Sequence, residues 1–196
     1  MKYYKLLTQD LKSYNNTQWQ IGVPVTVTVP GNQMCTDQVL HCYNHPLLAV
    51  LFSPIHVEIF KPRLFEISVD EIVNSDGLKF ASKSQTLIKE IPLPEISTEQ
   101  KVEFGIRTAK LVYKNQNWNK WADDWLSGKD RSRDSASTAF ADAASTAFAD
   151  AGYAGASCAG YAGASCAVYA AHAAADKNEF NQKMIDIIQE IVKVKE

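Results

Sequence analysis

The chain lacks most of the features that announce a function outright. Across 196 residues the formal net charge is −2 and the pI is near 6.1, so there is no basic excess of the kind that tracks a phosphate backbone. No nucleic-acid partner is expected on that ground. No run of about 20 apolar residues is available to span a bilayer, because the long low-charge stretch is too rich in Gly, Ser, Thr and Asp. The opening MKYYKLLTQDLK holds too short an apolar run for a secretory leader, with Asp10 following. The protein is therefore expected to be soluble and cytoplasmic, with no membrane partner. Four cysteines are too few and too unevenly placed for a small disulfide scaffold. There is no phosphate-cradling glycine loop, no nucleophile-elbow serine and no framed pair of carboxylates, and Gly77 stands alone in an ordinary turn, Ser75-Asp76-Gly77-Leu78.

Charge itself runs out between Ser135 and Ala175, where only Asp142 and Asp150 carry it. What replaces it is a period of eight: ASTAFADA at 136–143 and 144–151, GYAGASCA at 152–159 and 160–167, then VYAAHAAA. Alanine favours helix and is poor in strands, while the four glycines at 152, 155, 160 and 163 would cost roughly 4 kcal/mol in one helix. Eight residues also overshoot two helical turns by about 80°, so Tyr153, Tyr161 and Tyr169 would fan around a straight rod. The expectation is two or more helices packed through small faces, broken near Gly152 or Gly160, with a β-solenoid as the alternative. Cys158 and Cys166 would stand about 12 Å apart on a helix, beyond disulfide reach, and read as reduced, buried thiols.

Composition divides the rest into residues 1–96, a β-rich unit; 97–134, connecting helices; and 135–196, the Ala-rich octapeptide repeat with a terminal amphipathic helix. Val23–Val29, Ile55–Phe60 and Leu64–Val69 alternate apolar with polar residues and read as strands, as does Gln85–Ile91. Pro30-Gly31-Asn32 marks a turn, and Asn44-His45-Pro46 opens a short helix. Ser97 and Gln100 form a capping box ahead of Val102, Ile106, Ala109 and Tyr113. Asp176-x-x-Glu179 caps a final helix whose stripe is Phe180, Met184, Ile187, Ile188, Ile191 and Val194. The fold class expected is α+β: an N-terminal β-rich unit packed on a C-terminal Ala-rich helical bundle.

Reactive residues concentrate in Cys35-Thr-Asp37-Gln-Val-Leu-His41-Cys42-Tyr-Asn-His45. This spacing fits no standard zinc motif, and His41 and Cys42 would point apart on a strand. A strand-and-turn segment with buried thiols is the reading, with no metal or cofactor expected. A Cys/His nucleophilic pair, Cys35 or Cys42 with His56, lacks an orienting acid at a diagnostic position. Lys79, Lys83 and Lys89 read as solvated edge positions. Trp118, Trp121 and Trp125 share one helical face, which is either core joining the two halves or an exposed platform for a partner or flat ligand.

Cys35, His41, Val57-Glu58 and Lys79-Phe80-Ala81-Ser82 together resemble a domain family of unknown function found in phages and bacterial mobile elements. The chain departs from that pattern at Leu40, where the family has glycine. Gly105–Lys110, Trp125–Gly128 and the repeat are similar to a group of immunity-type proteins with Ala-rich helices. The first resemblance implies a non-enzymatic binding protein, phage- or mobile-element-encoded, that engages a host protein or sequesters a small signalling molecule in counter-defence. Its candidate contact residues are Cys35, His41, Glu58, Trp118, Trp121 and Trp125. The alternatives are a nucleotide- or ADP-ribose-handling enzyme using His41 and Glu58, and a toxin immunity protein using the helices. A homodimer through the repeat or the terminal helix is also expected.

Overall fold

The computed structural model describes residues 1–29, 31–56, 59–143 and 174–193. The chain divides into two compact units, Met1–Glu95 and Ile96–Glu196. The first is built on antiparallel sheets and the second on helices, so the α+β class read from the sequence is the class observed. The octapeptide array beyond Ala143, with its glycine breaks and both its cysteines, lies outside the described residues.

In the first unit, β1 (Tyr3–Leu7), β4 (Arg63–Val69), β7 (Ser84–Ile91) and β2 (Pro24–Thr26) form a four-stranded sheet in the order β1-β4-β7-β2. A smaller sheet runs β3 (Leu40–Cys42), β6 (Phe80–Ser82), β5 (Ile72–Ser75). The two meet at Tyr4 and Tyr43, which exchange backbone hydrogen bonds of 2.7 and 3.0 Å. Strand alternation decides what is buried: Tyr3 and Leu7 on β1, Phe65 and Ile67 on β4, and Leu87 on β7 enclose Trp19 and Cys42. Gly77, at φ +86°, supplies the left-handed residue of the β5–β6 turn, where Asp76 Oδ1 accepts from the backbone N–H groups of Leu78 and Lys79 at 3.0 and 2.9 Å.

Two readings are corrected here. Ile55 and His56 do not begin a strand: α1 (Pro46–His56) starts at Pro46 and carries through them. Leu47, Leu48, Ala49, Leu51 and Phe52 are all buried, so packing at helical spacing overrides the short alternation that follows. Lys79 is not a solvated edge residue. It is 3% exposed, with its ammonium 3.1 Å from Asp76 Oδ2, whereas Lys83 and Lys89 are exposed.

The second unit contains α2 (Thr98–Val112), α3 (Gln116–Leu126), α4 (Arg133–Ala143) and α5 (Lys177–Lys193). The capping box forms as read: the Gln100 N–H donates to Ser97 Oγ, and the Ser97 N–H donates to Gln100 Oε1. The Gln100 side chain also donates to the Ile191 carbonyl, tying the start of α2 to α5. Phe180, Met184, Ile187, Ile188 and Ile191 are buried in the packing of α5 with α2. The described part of the stripe offered as a dimer face is thus used inside the chain. No helix among the described residues is long and apolar enough to cross a membrane.

Candidate functional site

The N-terminal unit carries a cleft of about 790 Å³. That volume falls in the range of small-ligand sites. Four stretches of chain wall it. Lys5 and Leu6 come from β1, and Leu40 and His41 from β3; 25–28 are β2 and its continuation, and a tight turn contributes Ser13, Tyr14 and Thr17. The loop Cys35–Asp37, together with Val39, Tyr43, Ile59 and Lys79, completes the lining. The tight turn is fixed by the return of the chain: the Trp19 N–H donates to the Leu11 carbonyl at 2.9 Å and the indole N–H to Ser13 Oγ at 2.9 Å. Burying Trp19, 2% exposed, thus anchors the wall that holds Tyr14 out at 67% exposure.

The most unusual group is Lys5. Alternation on β1 puts it on the same face as Tyr3 and Leu7, and it is 7% exposed. Its ammonium donates to the His41 carbonyl at 2.5 Å and to Gln85 Oε1 at 3.1 Å, and lies 4.7 Å from the Trp19 ring centre. Gln85 is oriented for this contact, because its amide nitrogen donates to the Leu40 carbonyl at 2.9 Å and to Ser82 Oγ at 3.0 Å. Burial pulls the Lys5 amine down from 10.5 to about 8, with the nearby Cys42 opposing. The same burial pushes the Cys42 thiol up to about 12 and raises the Tyr43 phenol. Asp76 behaves oppositely. Burial alone would raise its carboxyl, but the backbone N–H groups of Lys79 and Leu78 and the Lys79 ammonium outweigh it and hold the group below the usual range.

Cys35 and His41, picked out in the sequence, meet on this cleft. The Cys35 N–H donates to His41 Nε2 at 3.2 Å. That bond requires Nε2 to be unprotonated, so the imidazole is an acceptor there. Cys35 holds a left-handed backbone at φ +61°, a conformation that costs of order 1 kcal/mol outside glycine. Cys42, next to His41, points the other way into the core with its thiol toward the Phe80 carbonyl at 3.6 Å. His45 Nδ1 is engaged by the Leu47 N–H at 3.3 Å. The dense Cys/His/Asp segment therefore disperses its side chains. Among the described residues no three His, Cys, Asp or Glu converge to hold a metal ion. Glu58 lies outside the described residues.

Trp118, Trp121 and Trp125 sit in the helical unit and are 0%, 7% and 5% exposed. Trp118 stacks edge-on with Tyr113 and Trp121, at 5.3 and 5.5 Å between ring centres. Arg131 covers Trp125 at 4.5 Å. Of the two readings of this face, core is the one the burial supports. The groups that sequence reasoning passed over are Lys5, Gln85 and Tyr43. Lys5 had a legible signal, a lysine at the middle of Tyr3-x-Lys5-x-Leu7 with apolar neighbours two residues either side.

No curated protein and no solved structure matches the chain. Residues 1–99 match the family described as a domain of unknown function, DUF7666, and this range holds every residue of the cleft. The chain belongs to the DUF7666 family of domains of unknown function.

Proposed function

We propose that the protein is a non-enzymatic binding protein that sequesters a small molecule in the cleft of its N-terminal unit. The observation that carries this reading is the cleft itself: about 790 Å³, with Val25, Val27, Val39, Leu40 and Ile59 as apolar wall and a few polar groups at fixed positions among them. That mixture is what small-molecule sites use, apolar area for affinity and placed polar groups for orientation. A phage or mobile-element origin and a counter-defence role, implied by the resemblance of Cys35, His41 and Lys79–Ser82, belong to the same proposal. Sequestration needs no turnover, which suits an imidazole whose Nε2 is already held by a backbone N–H.

The test is to purify the full chain from bacterial lysate, heat it, and identify released small molecules by mass spectrometry. The expected result is one compound recovered unaltered with wild type and absent from Val27→Trp, which places an indole on the cleft wall. Recovering no compound across several hosts would overturn the reading, and equal recovery from the variant would move the site elsewhere. The enzymatic alternative, nucleotide or ADP-ribose handling with His41 and Glu58, is supported only by His41 lining the cleft, Glu58 lying outside the described residues. It predicts that the compound is converted on incubation and that His41→Asn stops the conversion.

A further inference from the structure

Lys5 brings a charge into the N-terminal unit that no carboxylate among the described residues balances. An ammonium taken out of water is normally paired with a carboxylate, because desolvation of an isolated ion costs far more than neutral hydrogen bonds return. Lys79, the other buried lysine on the cleft, follows that rule through Asp76. Lys5 does not: no carboxylate of the described residues lies within ion-pair distance of it, and its oxygen partners are a backbone carbonyl and an amide. An ammonium has three N–H donors, and the two acceptors and the Trp19 ring, 4.7 Å away, ease its burial without supplying a negative charge. With the amine near 8, most of it remains protonated at neutral pH, so the charge is not removed by releasing the proton. The arrangement is also built to keep the amine in place, since Gln85, 1% exposed, is locked by Leu40 and Ser82 with its oxygen toward Lys5.

We infer that the cleft takes a small anion, a phosphate or carboxylate compound, whose negative group supplies the missing counter-charge to Lys5. This rests on the small-molecule reading of the cleft and specifies the ligand class. The bound anion would be held by a charge-assisted hydrogen bond in a partly desolvated site, where such bonds are at their strongest. The exposed Tyr14 ring at the rim gives the rest of the ligand a flat surface to lie against.

Titration calorimetry on the full chain tests this with four probes: inorganic pyrophosphate, adenosine monophosphate, citrate and uncharged adenosine. At least one anion is expected to bind with Kd at or below about 1 mM. Lys5→Met should weaken it about tenfold or more, the loss of a charged hydrogen bond. A response to the two phosphates or to citrate separates the phosphate source from the carboxylate source. At pH 8.5 the anion should also draw a proton onto Lys5, so the binding heat should differ between buffers of different ionisation enthalpy. A wild-type measurement guards against a variant that does not fold: the acetylation rate of Lys5, read by peptide mass spectrometry, should fall several-fold when the bound anion is present. Silence from all three anions overturns the inference, as does equal binding by Lys5→Met or an unchanged acetylation rate. Adenosine binding with the anions silent overturns the anion alone and leaves the cleft reading standing. If no probe binds, the cleft reading is judged separately by the compound released from lysate-purified protein.

Discussion

Lys5 makes a quantitative claim about stability that can be checked without any ligand. The folded amine titrates near 8 and an exposed one near 10.5. Between those values the unfolded chain holds more protons than the folded one, so this residue makes the protein more stable as pH rises. Below about 8 its burial penalty is fully present; above 10.5 it has vanished. The displacement corresponds to about 3 kcal/mol. Methionine at this position has no such penalty, but it withdraws the Lys5 donor from the His41 carbonyl and from Gln85 Oε1, and a buried acceptor that loses its donor costs roughly 1–3 kcal/mol. The absolute effect of Lys5→Met at pH 7 is therefore a balance of large terms. Its pH dependence is not. The stability difference between Lys5→Met and wild type should move against the variant by about 3 kcal/mol between pH 7 and pH 10.5. Cys42 and Tyr43, kept protonated by burial, lower stability at alkaline pH in both proteins; the Lys5 ammonium also acts on Cys42, and that share cancels while the folded thiol stays protonated, below about 12. Urea denaturation followed by circular dichroism at half-unit pH steps reads this directly. A difference that stays constant within about 0.5 kcal/mol would refute the reasoning, because it would mean that Lys5 titrates as a solvated or counter-charged amine.

Other consequences are simpler. Trp118→Ala should cost about 3–5 kcal/mol in thermal or urea melts, as a fully buried indole does; a near-neutral effect would favour the platform role over the core role. Asp76→Ala strips the counter-ion from buried Lys79 and should destabilise by about 3 kcal/mol at pH 7. The Asp76 carboxyl titrates below its ordinary 3.8, so its contribution is fully present above that value and is lost as pH falls through the folded one. The gap between Asp76→Ala and wild type should accordingly close in acid, and a gap independent of pH would contradict the pairing. Exposed Cys35 should react with iodoacetamide in the native protein, while buried Cys42, its thiol raised to about 12, should be labelled only on unfolding. Peptide mass spectrometry distinguishes the two, and comparable native labelling would show that the core around Cys42 opens.

The N-terminal sheets illustrate where local pattern is enough and where it fails. Leu64–Val69 and Gln85–Ile91 pair antiparallel along their length, with one register shift between Glu66 and Ile67, because each is a long alternating run with one face to bury. Ile55–Phe60 carries a similar alternation, yet Ile55 and His56 complete a helix whose earlier residues are buried. Two or three alternating residues cannot resist a helix already propagating from Pro46. Lys79 was misplaced for a related reason. Its exposure depends on the β5–β6 turn presenting Asp76 beside it, a relation between side chains three residues apart that composition does not reveal.

The candidate site divides the same way. Cys35 and His41 were legible as reactive residues close in sequence, and the loop does bring them into contact. Lys5 is legible only as an oddity, a lysine in the inward register of a strand. That its ammonium reaches Gln85, 80 positions away on a strand that is not its neighbour, with no carboxylate of the described residues beside it, is a property of the tertiary fold.

Taken alone, the residue pattern determined the α+β class, the helix caps at Ser97 and Asp176, and the apolar stripe of the last helix. These are local effects: side-chain period sets which face is buried, and a cap needs only its own first turn. The cleft was decided by tertiary structure. Bringing β1 beside β3 through Tyr4 and Tyr43, folding the Trp19 segment back over β1, and closing β2 against β7 set Lys5, His41 and Tyr14 around one volume. Long-range pairing also decides which buried charge has a carboxylate beside it among the described residues, as Lys79 does and Lys5 does not, because burial and counter-ion can come from different parts of the chain.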